Sequence, residues 1–108
     1  MVCKKPSSDE NVMTTLTSEK LLEKKFCDRV KAAGGLPLKF SSPSYAGVPD
    51  RIVLFPEGKI FFVELKSPNG NVSPIQKFVF DKFAELGFPV HVIHNEQMIE
   101  SFFASIDI

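Results

Sequence analysis

Residues 47–66 constrain this chain more than any other stretch. Two apolar runs, residues 52–55 and 60–65, flank Pro56-Glu57-Gly58-Lys59. Aromatic and β-branched residues on either side of Pro and Gly predict two strands joined by a tight turn. With the turn centred near Glu57-Gly58, Asp50 falls opposite Glu64, Leu65 or Lys66, to within about one residue of register. Glu64 and Lys66 stand two apart and share a face, while Leu65 points the other way and keeps its carbonyl at their level. An aspartate, a glutamate and a lysine thus converge at one end of an apolar hairpin, where an ionisable group needs a partner or an ion.

Two carboxylates and a carbonyl oxygen are hard ligands, suited to Mg²⁺ or Mn²⁺. Such a cation polarises phosphate and activates water. A neighbouring ammonium steadies the charge that develops on phosphate, or positions the water. Asp50, Glu64 and Lys66 therefore suit phosphodiester hydrolysis. The same spacing also fits a salt-bridged hairpin, with Asp50 on Arg51 or Lys66 and Glu64 on Lys66 or Lys59.

Around the hairpin, residues 17–33 carry a helical apolar stripe of Leu22, Phe26, Val30 and Ala33, with Thr17 or Ser18 as cap and Gly34-Gly35 as stop. Residues 36–40 read as a short strand, and 41–47 as a loop that delivers the chain to Pro49-Asp50. Ser73-Pro74-Ile75-Gln76 forms a capping box with Pro at the first helical position. The helix it opens is expected to bury Ile75, Phe78, Val79, Phe83 and Leu86 and to end at Gly87. Residues 88–94 read as a strand on which His91 faces opposite to Val90 and Val92, and Asn95 caps a closing helix containing Met98, Ile99, Phe102 and Phe103. His91 and His94 read as packed or exposed residues and not as general bases. The fold class expected from this order is α/β, αβββαβα: three strands in an antiparallel meander, a fourth joined through a helical crossover, and helices flanking the mixed four-stranded sheet. Residues 1–16 are polar and unpatterned and are expected to form a flexible tail, leaving 17–108 as a single domain.

Thirteen basic and thirteen acidic residues cancel. Attraction for phosphate must then come from local clusters or from a metal, which counts against tight, non-specific duplex binding. Cys3 and Cys27 lack clustered histidines, so they predict no zinc site and no disulfide framework, and they read as two free thiols in a reducing compartment. No apolar run nears the roughly 20 residues needed to span a bilayer, and the N-terminus lacks the apolar segment of a signal peptide. A soluble, intracellular protein with no membrane partner is expected.

Pro49-Asp50 with Glu64-Leu65-Lys66 resembles the PD-(D/E)xK nuclease signature. The surrounding text is more specific. Gly47-Val48-Pro49-Asp50-Arg51-Ile52-Val53, Phe62-Val63-Glu64-Leu65-Lys66 and Ser73-Pro74-Ile75-Gln76 resemble the VRR-NUC family of virus-type replication and repair nucleases, and Gly34-Gly35-Leu36 and Lys39-Phe40-Ser41-Ser42-Pro43 also fit. The similarity runs over about residues 18–94. It implies a restriction-endonuclease-like core and a Mg²⁺- or Mn²⁺-dependent DNA endonuclease that leaves 5′-phosphate and 3′-hydroxyl ends. In that reading Asp50, Glu64 and the Leu65 carbonyl hold the metal, and Lys66 orients the attacking water or stabilises the transition state. Gln76 holds phosphate or water, although its amide would equally close the capping box on Ser73. A glutamate of the first helix is implied to reach towards the metal; Glu19-Lys20-Leu21-Leu22 matches the pattern, with Glu23 one turn on as the alternative. Stand-alone members are similar to junction resolvases, which implies a homodimer acting on branched DNA such as four-way (Holliday) junctions, in the cytoplasm of a bacterial or phage-infected cell. A DNA-binding module of the same fold without catalysis is the alternative. Lys20, Lys24, Lys39, Arg51 and Tyr45 are the candidate DNA contacts, though the helix lysines also fit a solvated face and Tyr45 a packed ring.

Overall fold

The computed structural model describes residues 17–108, so Cys3 and the expected tail over 1–16 lie outside the described residues. Helix α1 (Ser18–Ala32) starts where the Thr17 hydroxyl accepts the Lys20 N–H at 3.1 Å. It stops where Gly34 takes a positive φ of 86°, a conformation that costs glycine little. Strands β1 (Leu36–Lys39), β2 (Arg51–Phe55) and β3 (Lys59–Leu65) follow, then α2 (Pro74–Glu85), β4 (Val90–Ile93) and α3 (Glu96–Ser105). This is the expected αβββαβα order. The sheet runs β1-β2-β3-β4, with the first two pairings antiparallel and β3–β4 parallel. The parallel step is the one that needs the α2 crossover.

Register divides the side chains between two faces. Residues paired directly across antiparallel strands point the same way. Phe62 opposes Ile52, and Phe61 opposes Val53. The face with Phe61, Val53, Phe55, Val63 and Leu65 packs on α1 and α3, through Leu22, Phe26, Val30, Ile99 and Phe102. Phe26 and Val30 are fully buried, as the α1 stripe predicts. His91 joins this side against Phe61 and Phe102, with ring centroids 6.1 and 4.9 Å away. Burial lowers its pKa below the ordinary histidine value. Cys27 is also buried in this layer and is not a free thiol, which corrects the expectation of two free thiols at this position.

The opposite face belongs to α2, and here the expected stripe is wrong. Ile75, Phe78 and Leu86 are exposed (54%, 59% and 74%), while Val79 and Phe80 are buried. Phe83 packs edge-to-face on Phe62 with centroids 5.1 Å apart. The inward positions are 76, 79, 80 and 83, the i, i+3, i+4, i+7 row of a helix face. The apolar residues at 75, 78 and 86 misled because α2 has more of them than its single buried stripe can use. The corrected phase turns Gln76 inward.

Candidate active site

The hairpin register fixes the site. Arg51 pairs with Val63 and Phe55 with Lys59 around the turn at residues 56–58. One step beyond Arg51, Asp50 stands against Glu64, on the α2 face. The two acids cross-link their strands. The Asp50 N–H donates to Glu64 Oε1 at 3.0 Å, and the Leu65 N–H donates to Asp50 Oδ2 at 3.3 Å. Pro49 is fully buried beside Asp50. Gly47 has a φ of 93°, and a Cβ there would stand 3.0 Å from both the Ile75 carbonyl oxygen and Val79 Cγ2. The approach to Asp50 is thus wedged against α2 by a residue that has no side chain.

Gln76 ties the acids to the lysine. Ser73 caps α2, accepting the Gln76 N–H at 3.2 Å, and its own N–H donates to Gln76 Oε1 at 3.0 Å. The same Oε1 accepts from Lys66 Nζ at 3.0 Å, while Gln76 Nε2 donates to Glu64 Oε2 at 3.0 Å. Gln76 thus closes the capping box on Ser73 and at the same time contacts both Glu64 and Lys66. Lys66 Nζ also lies 3.2 Å from Glu64 Oε2. Glu64 is only 2% exposed. Burial raises its carboxyl pKa and the Asp50 charge raises it further, with Lys66 and Gln76 opposing but not cancelling this. A buried carboxylate beside a second acid is a place where a cation is welcome. The all-oxygen donor set, two carboxylates beside the Leu65 main chain, fits a hard divalent ion.

The first-helix glutamate is a correction. Burial of α1 begins at Leu22, so Glu19 in its exposed first turn stands clear of the core, with no hydrogen bond or ion pair among the described residues. No group of three or more His, Cys, Asp and Glu side chains that could hold a metal occurs among the described residues, so Glu19 does not join Asp50 and Glu64. The α1 acid that reaches the hairpin is Glu23, and its partner is Arg51, with Nη2 2.6 Å from Glu23 Oε2. Burial alone would raise Glu23; the hydrogen bond and charge of Arg51, with Lys39 and Lys20 behind it, outweigh this and hold it below the ordinary carboxylate value.

Arg51 is the second correction. It is 3% exposed, its Nη1 lies 3.4 Å from the Pro37 carbonyl oxygen and its buried Nε has no hydrogen-bond partner among the described residues. A guanidinium so enclosed is not available to a DNA backbone. The period-two alternation of β2 signals this: residue 51 lies on the face of Val53 and Phe55, opposite to Asp50. Among the other DNA-contact candidates, Lys20 and Lys39 lie 3.9 and 3.5 Å from Glu23, and Lys24 pairs with Asp28 at 3.0 Å. Tyr45 is 48% exposed in the loop before Asp50.

A mixed α/β sheet with two acids and a lysine gathered at one end of its central hairpin is an arrangement suited to phosphodiester hydrolysis. The chain belongs to the VRR-NUC family, whose domain matches residues 12–97. A solved VRR-NUC domain superposes with a TM-score of 0.79 at 30% identity, covering 85% of this chain and all of that one. Protein p44 of Acyrthosiphon pisum secondary endosymbiont phage 1, named provisionally as a nuclease, is 39% identical over 83 residues, 77% of this chain and 89% of that protein. No helix among the described residues is long and apolar enough to cross a membrane.

Proposed function

We propose that the protein is a Mg²⁺- or Mn²⁺-dependent DNA endonuclease that prefers branched DNA such as four-way junctions. The observation that carries this reading is the enclosed Glu64 carboxylate, held between the Asp50 N–H and the Gln76 amide with the Lys66 ammonium 3.2 Å away. Asp50, Glu64 and the Leu65 carbonyl would hold the cation, which when bound neutralises phosphate charge and favours a hydroxide nucleophile. Lys66, kept at Glu64 by Gln76, orients the attacking water and faces the charge that grows on the phosphate. Gln76 keeps both groups in place and excludes other rotamers. Exposed Lys20, Lys39 and Tyr45 are the contacts this reading retains for the nucleic-acid backbone or bases.

A homodimer belongs to the same reading. Leu36, Leu54 and Ile60 form one row across β1, β2 and β3 on the face that α2 covers in part, and they are 43%, 36% and 41% exposed. Such a row is sufficient reason for a second copy to pack there, and paired cuts in a two-fold junction need two sites. The test compares four-way junction, flap and linear duplex in Mg²⁺, in Mn²⁺ and in chelator. The expected result is metal-dependent cutting with the junction preferred, lost in Asp50→Ala and Lys66→Ala proteins that still melt cooperatively. Undiminished cutting by Asp50→Ala overturns the catalytic assignment, and preference for linear duplex overturns the branched-substrate assignment. A monomer in sedimentation at micromolar concentration overturns the dimer.

A further inference from the structure

Lys66 is held from β4 by a side chain outside the set described so far. The last register pair of β3 and β4 is Leu65 with Ile93. The ladder continues by one bond, from the Lys66 N–H to the Ile93 carbonyl at 3.0 Å. His94 comes next, half-buried, and its Nδ1 lies 3.1 Å from the carbonyl oxygen of Ser67, the residue after Lys66. A carbonyl oxygen only accepts, so Nδ1 carries the proton. In the neutral ring Nε2 then holds the lone pair, and in the charged ring Nδ1 still donates. The bond therefore persists in both protonation states.

Its position gives it a purpose. After Lys66 the chain leaves the sheet and turns, with the Gly70 N–H donating to the same Ser67 carbonyl at 2.9 Å. Without His94 the strand would end at Lys66, where strand ends fray. With it, the main chain is anchored on both sides of the lysine Cα, by Ile93 at the end of β4 and by His94 just beyond it, while the ammonium is anchored at Gln76 and Glu64. A long, flexible side chain delivers its charge reproducibly only if its root is fixed.

We infer that His94 is a positioning residue for the hydrolysis, acting through the backbone of Lys66 and Ser67 and not through proton transfer. This rests on the nuclease reading above.

The test uses the full chain and a four-way junction in Mg²⁺, with kcat, KM, the pH profile, the melting temperature and Mn²⁺ affinity measured for each variant. Asparagine carries an amide nitrogen at the δ position, where it replaces Nδ1; leucine fills similar space with no donor. His94→Leu is expected to lose kcat by about 10–100-fold with KM and Mn²⁺ affinity changed by no more than about twofold. His94→Asn is expected to regain most of that loss with the limbs of the pH profile unmoved. If His94→Leu fails to fold, His94→Gln replaces it, since its amide nitrogen sits one bond too far out. Wild-type kcat in the donor-less variant overturns the inference. Equal impairment of the Leu and Asn variants with a pH limb lost makes His94 a proton carrier and also overturns it, as does a loss confined to KM. A wild-type protein that cuts no substrate overturns the nuclease reading and this inference together; active wild type with an unaffected His94→Leu overturns this inference alone.

Discussion

Removing the Glu23 carboxylate tests the reassignment of the first-helix acid from metal ligand to structural partner. In Glu23→Ala the Arg51 guanidinium, 3% exposed, keeps among the described residues only the 3.4 Å hydrogen bond to the Pro37 carbonyl, and its Nε already has no hydrogen-bond partner there. Breaking a buried pair from one side costs about 3–5 kcal/mol, because the remaining charge stays buried. The Glu23 side chain is itself 18% exposed and therefore partly screened, which reduces this to about 2–4 kcal/mol. In a domain of this size each kcal/mol moves the melting temperature by about 4–8 °C, so a drop of roughly 8–30 °C is expected. Adding Arg51→Met removes the stranded charge, so the double variant should melt higher than Glu23→Ala. Circular dichroism melts in chelator give both values. A double variant that melts below Glu23→Ala, or a Glu23→Ala protein within about 3 °C of wild type, refutes the reasoning. A folded double variant should also cut DNA; if it does not, Glu23 belongs to the active site.

Gln76→Ala separates Lys66 from Glu64 and opens the α2 cap; kcat should fall by about 10–100-fold, the usual cost of losing a residue that orients a ligand, and an unchanged kcat would argue against the amide as the link. Glu64 should make metal binding acid-sensitive. Its folded pKa lies above the ordinary carboxylate value, so its ionisation at neutral pH costs the metal-free protein stability, and that cost fades as pH falls towards the raised value. Mn²⁺ needs the ionised form, so its affinity and the melting increment it produces should start to shrink as pH falls from neutrality, before the ordinary carboxylate range is reached; a calorimetric affinity that stays flat down to that range refutes the shift. Gly47→Ala forces a φ of 93° on alanine and drives its Cβ into Ile75 and Val79, at a cost of at least about 1–2 kcal/mol; melting temperature and kcat should fall together, and an alanine variant indistinguishable from wild type removes the wedge.

The sequence was most legible where local rules act alone. Period-two patterning and one turn set the pairing of Asp50 with Glu64, and the Ser73–Gln76 capping box formed as written. Legibility failed where apolar residues outnumber buried positions. On α2, Ile75 and Phe78 compete with Val79 and Phe80 for one stripe, and only the sheet decides the phase. Arg51 shows a different failure. Its charge suggested a surface role, whereas its alternation with Asp50 places it inside, and the two signals had to be weighed together. The local pattern favours Glu19, which has an aliphatic residue three positions on; only the inward-facing Arg51 singles out Glu23, and that is a tertiary feature.

The pairing of Asp50 with Glu64 also says where such a domain tolerates insertions. The number of residues separating the two acids is set by how far the ribbon extends past them, not by the chemistry. Extra residues at positions 56–58, the tip remote from the acids, would lengthen the loop and leave the acids face to face. A single residue inserted between 60 and 64 would instead turn Glu64 to the α1 side and bring an aliphatic side chain to Asp50.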